Sequence, residues 1–282
     1  MRILITGTNG YIAKNFAAYT ENTRLISLRD DEWRNTSFAG YDAILHAAGL
    51  VHKKENRRNQ YDYYAINRDL TFELAKKAKA DKVGQFVFLS TMNVYNLTDI
   101  TDNTITADTP TNPTTNYGRS KLAAESLITT LSDDAFRVAI LRPPIVYGYN
   151  CPGNFQRLYN LIKKAPIFPD YKNSRSMVYI QNLCFFIHSI IKEKKEGIFF
   201  PRDPTPVATG EMAEAIAKAQ GKKLYLTRAF NLPIDILMPY MSVIYKMFGD
   251  LVYDSSLPDG GDNDLANPVD FKTALMANNY LE

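Results

Sequence analysis

The chain of 282 residues is poor in the residues that build metal sites and disulfide scaffolds. It has two cysteines, Cys151 and Cys184, and three histidines, His46, His52 and His188, with no zinc-ligand spacing among them. No metal and no disulfide framework are expected, and a reducing, cytoplasmic setting is the default. An excess of one charge is also missing. The 33 Lys and Arg against 30 Asp and Glu leave +3, which gives no general argument for nucleic acid. The clusters "HKKENRR" and "IKEKKE" mix signs and suit solvated faces. Long uninterrupted apolar runs are absent as well. The most apolar late stretch, "FNLPIDILMPYMSVIYKMFG", is broken by Pro233, Asp235, Pro239 and Lys246. It is too interrupted for a spanning helix, and a buried helix of a C-terminal subdomain is expected there. "MRILITG" is too short for a signal peptide.

What the chain does have is short apolar runs separated by amphipathic stretches. Strands are predicted at 2–6, 24–28, 42–48, 85–90 and 137–143, and helices at 11–20, 63–80 and 117–131. Continuous apolar runs of this length suit strands buried on both faces. Strand alternating with helix predicts parallel βαβ units and a doubly wound α/β sheet of the Rossmann type. After Pro143 the pattern loosens. It predicts a helix at 152–166, a strand at 176–180, helices at 181–195 and 210–221, and a turn-rich loop at 257–268. The expected layout is a dinucleotide-binding domain over 1–148 and a smaller substrate-binding part over 149–282. Segments near 176–200 are expected to return to the first domain.

Between the first strand and first helix lies "TGTNGYIA", Thr6 to Ala13. Gly7 and Gly10 permit a tight turn. The following helix aims N–H groups and the positive end of its dipole at that turn, an anion site suited to a pyrophosphate. Gly7, Asn9, Gly10, Tyr11 and Ile12 are the candidate cofactor-binding residues here. At the end of the second strand, "SLRDD" places Arg29 where an acidic residue selects NAD and an arginine accommodates a 2′-phosphate. Arg29 favours NADP(H); Asp30, one residue on, keeps NAD(H) possible.

"NPTTNYGRSKLAAE" holds Tyr117 and Lys121 four residues apart, hence on one helix face. Upstream, the fourth strand closes on Ser90 and Thr91. Ligands of open α/β sheets sit beyond the carboxyl ends of the strands, so these groups can converge. Moving a hydride between a nicotinamide and an alcohol or ketone also moves a proton. Free Tyr, with a pKa of about 10, is too weak a base. A nearby cation stabilises the phenolate, and Lys121 would supply it while Thr91 holds the substrate oxygen.

With these residues in order, the sequence resembles the extended short-chain dehydrogenase/reductase family, in its nucleotide-sugar epimerase/dehydratase branch. "TGTNGYIA" resembles the TGxxGxxG/A turn, "YDAILHAAG" the third-strand motif along the cofactor, "LSTMNVY" the Ser/Thr segment, and "YGRSK" the Y-x-x-x-K pair. "LRPPIVYG" resembles the stretch after the fifth strand. "RSMVYIQNL" resembles R-x-x-V-H-V-x-D-L, with Asn182 where Asp is usual. The resemblance covers about residues 1–185. It implies that Tyr117 is the catalytic acid/base, that Lys121 lowers its pKa and contacts the ribose, and that Thr91 takes the catalytic Ser/Thr position. It implies that Ala47, Ala48 and Gly49 line the adenosine side, that Pro143 approaches the nicotinamide, and that Met92, Asn154 and Arg175 face the substrate. His46 is expected to be a packed strand residue, and Tyr95 and Tyr147 core or lining residues. A homodimer through the helices at 63–80 and 117–131, with Phe72 and Leu127 on their outward faces, is also implied.

The same resemblance narrows the reaction. A 4,6-dehydratase carries Asp-Glu directly after the Ser/Thr, and here those positions are Met92 and Asn93, neither an acid nor a base. Epimerase-reductases of the fucose type carry Cys at the place of Met92. A 4-keto-sugar reductase and a 4-epimerase with tightly bound NAD remain, Arg29 favouring the reductase. A dinucleotide-binding sensor or subunit without turnover, and a reductase of non-nucleotide ketones, are the alternatives.

Overall fold

The structure, a computed structural model, describes residues 1–51, 55–95, 104–261 and 268–277. His52 and half of the turn-rich stretch expected at 257–268, residues 262–267, lie outside the described residues. The first half contains β1 (Ile3–Thr6), α1 (Tyr11–Tyr19), β2 (Thr23–Ile26), α2 (Glu32–Asn35), β3 (Ala43–His46), α3 (Gln60–Tyr64), α4 (Leu70–Ala80), β4 (Gln85–Leu89), β5 (Thr104–Ile105), α5 (Asn116–Thr129) and β6 (Arg137–Leu141). There follow β7 (Ile145–Tyr147), α6 (Asn154–Ile162), β8 (Ile167–Pro169), β9 (Met177–Tyr179), α7 (Ile180–Lys192), β10 (Gly197–Phe199) and α8 (Thr209–Ala219). The chain closes with β11 (Tyr225–Thr227), α9 (Asn231–Leu237), α10 (Ser242–Phe248), β12 (Val252–Tyr253) and α11 (Phe271–Ala277).

Six strands form one parallel sheet in the order β10-β6-β4-β3-β1-β2. Successive side chains of a strand face opposite ways, and here both faces are apolar. Ile3, Ile5, Leu45, Val87 and Leu141 pack with Phe16 of α1 and Leu183 and Ile187 of α7. Leu4, Ile44, Phe86, Phe88 and Ile140 pack on the other face with Leu74 and Ala78 of α4 and Ala124 and Ile128 of α5. This double burial is why the strands read as unbroken apolar runs. After β2 only the single turn of α2 intervenes before the chain returns as β3 on the far side of β1. The reversal of strand order there opens a crevice at the carboxyl edge of the sheet, between β1 and β3.

One position the sequence marked finds its explanation here, and one stretch departs from what the sequence suggested. Asn182, standing where an aspartate is usual, donates to Asp203 at 2.7 Å, and Asp203 also accepts from the Tyr147 hydroxyl and the Tyr179 N–H. A second carboxylate at 182 would meet this buried one, so the amide fits where the acid would repel. The late apolar stretch is two short helices, α9 and α10, with much of their apolar surface outward: Leu232 is 69% exposed, Tyr240 84% and Val243 66%. It is not the buried helix expected. No helix among the described residues is long and apolar enough to cross a membrane.

Candidate active site

The loops at the carboxyl edge carry the polar residues. The turn after β1 begins at Gly7, whose φ of +91° suits glycine, and a Cβ there would stand 3.2 Å from the Ala48 backbone. The Gly10 N–H donates to the Gly7 carbonyl at 2.8 Å and closes the turn. α1 then starts with no side-chain cap and no acidic residue in its first turn, so its positive end faces the crevice unopposed. A tight backbone cradle with an uncapped helix end fits the pyrophosphate of a dinucleotide. Arg29 and Asp30 follow β2 and are exposed.

A proton-ordered chain of hydrogen bonds stiffens this floor. The Ala48 N–H donates to Thr6 Oγ1, which lies 2.7 Å from His46 Nδ1, while His46 Nε2 lies 2.9 Å from Thr71 Oγ1. The Thr71 hydroxyl donates onward to the Asn67 carbonyl at 2.8 Å. Because Thr71 spends its proton on that carbonyl, it must accept from His46, so the imidazole carries its proton on Nε2 and accepts from Thr6. Burial, with Lys121 second, pushes the His46 pKa down to about 3. His46 is thus a neutral packed residue, as its place in a buried strand suggested.

Asn67 lies in a π-helical stretch, Ala65–Asp69, between α3 and α4. It accepts from the Leu50 N–H at 2.7 Å and donates to the Leu50 carbonyl and to Ser120 Oγ, each at 3.0 Å. One amide therefore clamps the Ala47–Gly49 loop to α5. The apolar spacing of this helix gave no sign of the role; π-bulges do occur often at functional sites.

Tyr117, Lys121 and Thr91 come together. Thr91 ends the β4 loop, accepts from the Asn93 N–H at 3.2 Å, and sits near enough to the Tyr117 phenol to pull its pKa down. Burial pushes the Tyr117 pKa up to about 12, Thr91 pulls it down, and neighbouring Tyr63 raises it again. The expectation from the sequence, a phenol lowered by Lys121 together with an oxidised nicotinamide, concerns the cofactor-bound protein. Lys121 turns its ammonium to the Leu89 carbonyl at 2.7 Å and to the Phe88 ring at 4.4 Å. It is 3% exposed, and burial lowers its pKa from 10.5 to about 7 against an upward pull from Glu125. A Cβ on Gly49 would lie 3.4 Å from Lys121 Nζ, so the ammonium borders the loop expected to receive the adenosine side.

Three supports of this group were not singled out in the sequence. Gly118 follows the tyrosine because a Cβ there would overlap the Asn93 carbonyl and come within 2.9 Å of Pro113 Cβ. Only glycine lets α5 press against the Thr91 loop. Glu55 accepts from the backbone N–H groups of Asn116 at 2.8 Å and Tyr117 at 3.2 Å, a carboxylate on a helix N-terminus. Its setting in a mixed-charge run concealed this. Glu125 receives both Arg142 Nε at 3.2 Å and Nη2 at 2.6 Å, with Ser90 Oγ as a further donor.

The remaining candidates are spread out. The Pro143 carbonyl accepts from the Met92 N–H at 3.0 Å, which ties the loops after β4 and β6 together. The Met92 side chain, expected to face the substrate, is instead buried with Val94, Tyr95, Ile105 and Tyr253; an apolar thioether there is a packing residue. Asn154 opens α6 and is exposed. Arg175 is 6% exposed and donates to the Gly249 carbonyl at 2.7 Å. Burial lowers its pKa, and much of its donor fork remains for a ligand.

Comparison with known proteins identifies the family. A family model described as the NAD dependent epimerase/dehydratase family matches residues 3–199. The UDP-glucose 4-epimerase of Vibrio cholerae is 27% identical over 91% of this chain and 84% of that protein. The UDP-2-acetamido-2,6-beta-L-arabino-hexul-4-ose reductase of Pseudomonas aeruginosa is 24% identical over 81% of this chain and 60% of that protein. Among solved structures, a dTDP-4-dehydrorhamnose reductase from Clostridium acetobutylicum superposes with a TM-score of 0.71 at 18% identity, covering 99% of this chain and 98% of its own. That likeness shows the Rossmann-like fold.

Proposed function

The chain belongs to the NAD dependent epimerase/dehydratase family, and from that premise we propose that it is an NAD(P)-dependent oxidoreductase acting at C4 of a nucleotide sugar. Within that class we infer a 4-keto-sugar reductase. The observation that carries the reading is Tyr117, its pKa pulled down by Thr91, one helical turn from the buried Lys121.

The dinucleotide, when bound, supplies the hydride. The Gly7–Ile12 turn and the α1 N-terminus would hold its phosphates, and Ala47 to Gly49 and Lys121 its adenosine and ribose parts. Tyr117 gives its phenolic proton to the keto oxygen, and Thr91 Oγ1 holds that oxygen in line. A phenol raised to about 12 is protonated at neutral pH, the state a reductase needs at the start of turnover. Asn154 and Arg175 would take the substrate's nucleotide and phosphates. Met92 and Asn93 offer no acid or base for eliminating water, which supports reduction or epimerisation over dehydration. Arg29 supports NADPH as the reductant.

The 4-epimerase reading, with tightly bound NAD, is favoured by the relative in Vibrio cholerae. One experiment separates them. The purified chain is mixed with NADPH or NADH and a panel of 4-keto nucleotide sugars, and absorbance of the reduced nicotinamide is followed. Stoichiometric, NADPH-preferring oxidation supports the reductase. Interconversion of C4 epimers without added cofactor, by a chain that carries NAD from purification, would establish the epimerase in its place.

A further inference from the structure

We propose that the outward face of α9, α10 and the turn before them docks on an anionic lipid surface, as a peripheral contact without a spanning helix. The apolar exposure is concentrated in one short stretch. Phe230 is 45% exposed, Leu232 69%, Ile236 58%, Leu237 41%, Tyr240 84%, Met241 46% and Val243 66%. Single exposed apolar residues are ordinary, but seven large ones within a stretch of about fourteen residues make a patch of the kind that marks an interaction site. The helices are anchored by few inward residues, with Ile234 and Phe248 buried in the main core. The patch extends onto the small sheet, where Ile167 and Tyr225 pair in register and are 50% and 66% exposed.

Charge selects the occupant. Between Lys222 and Phe248 the sequence carries Lys222, Lys223, Arg228 and Lys246 against the single carboxylate Asp235. Asp235 accepts from the Tyr171 hydroxyl at 2.6 Å. Lys222 is committed to the carbonyls of Ile162, Lys163 and Ala165 at the end of α6. Lys223 and Lys246 are exposed, and neither has an ion-pair partner among the described residues. Arg228 pairs with Asp170 at 3.1 Å, and the open cavity beside the patch, bordered by Lys172 and Arg228 and by the carboxylates Asp170 and Asp235, is charge-balanced. The cations left to meet a lipid surface beside the patch are therefore Lys223 and Lys246. A second copy of the chain fits less well. A two-fold contact sets identical patches face to face, which would oppose lysine to lysine across an apolar seam. Lipid phosphates would meet the same lysines with the opposite charge, while Tyr225 and Tyr240 have the amphipathic rings that favour the membrane–water boundary and Phe230 adds an apolar one.

The test is flotation of the full chain with vesicles of phosphatidylcholine containing phosphatidylglycerol, against phosphatidylcholine alone. Binding to the anionic vesicles, weakened by salt, is expected. Replacing Ile236, Tyr240 and Val243 together by Ser should abolish it. The pair Lys223→Gln and Lys246→Gln should weaken it by roughly an order of magnitude. Dinucleotide binding and the circular dichroism spectrum should be unchanged in both variants, because these residues lie outside the proposed site. If the triple variant does not fold, the Gln pair still decides. No flotation of the wild-type chain, or equal flotation of wild type and Gln pair, would overturn the proposal. So would a concentration-dependent dimer, seen by light scattering, that the triple variant dissolves while vesicles leave the wild-type chain unbound.

Discussion

Lys121 and Glu125 stand one turn apart on the same face of α5, both 3% exposed, and the molecule treats them in opposite ways. Glu125 is saturated: a two-pronged Arg142 and the Ser90 hydroxyl account for its oxygens. Arg142 is held in turn, donating to Tyr95 at 2.7 Å, while its carbonyl accepts from Tyr253. Lys121 is left with a carbonyl, a ring and a pKa near neutrality. A buried charge that is fully paired serves the fold. A buried charge with spare donors is costly to the free protein and is best explained by a ligand that completes it. On this view one helix carries a structural charge and a functional charge, with Tyr117 one turn before the latter.

The contrast breaks most visibly at Lys121. In Lys121→Met, turnover should fall about 10²-fold or more, measured as nicotinamide oxidation. The same change should leave the free chain more stable, on the order of 1–2 kcal/mol in denaturant unfolding, because a methyl group needs no solvation. The sign follows from linkage. The folded-state pKa lies below the unfolded 10.5, so the unfolded chain binds more protons between about pH 7 and 10.5. Stability of the free wild-type chain should therefore gain a contribution as pH rises through that window, and Lys121→Met should remove it. Loss of stability in the variant would mean that Lys121 is a structural residue after all.

Glu125→Gln tests the other half. It leaves the Arg142 guanidinium buried without its counter-charge, which should cost about 3 kcal/mol in urea unfolding. Cofactor affinity should hold in the molecules that remain folded. Gly118→Ala is expected to cost about 1–3 kcal/mol by overpacking against Asn93 and Pro113. It should also lower kcat more than it weakens dinucleotide binding, since the displaced group is Tyr117 relative to Thr91. The smallest effect belongs to Glu55→Gln. Losing a carboxylate at the N-terminus of α5 should cost less than about 1 kcal/mol, with a modest fall in kcat and the dinucleotide Kd unchanged in a fluorescence titration.

These supports also show what was legible in the sequence and what was not. The parallel sheet announced itself because a strand buried on both faces has to be an apolar run, as in "ILIT" and "QFVFL". The glycine turn and the Tyr117–Lys121 spacing were legible because their chemistry depends on neighbours in the chain. Glu55 and Arg142 were not, since their partners lie 62 and 17 residues away and nothing local distinguishes them from surface charges. Burial of the Tyr117 phenol, which raises its pKa in the free chain, was hidden for a related reason: a cation four residues away is visible in a sequence, but burial is not. Asn67 was hidden inside a helix whose apolar spacing said only that it packs. The outward turn of α9 and α10 was hidden too, because composition shows that a stretch is apolar and not which way it faces.

The central claim is that Tyr117 transfers the proton in a nicotinamide-linked reduction. The most direct measurement is single-turnover reduction of a 4-keto nucleotide sugar by Tyr117→Phe, with NADPH binding measured on the same sample. The account predicts dinucleotide affinity within a fewfold of wild type and a rate lower by about 10²–10⁴-fold. A variant that turns over at the wild-type rate would contradict it.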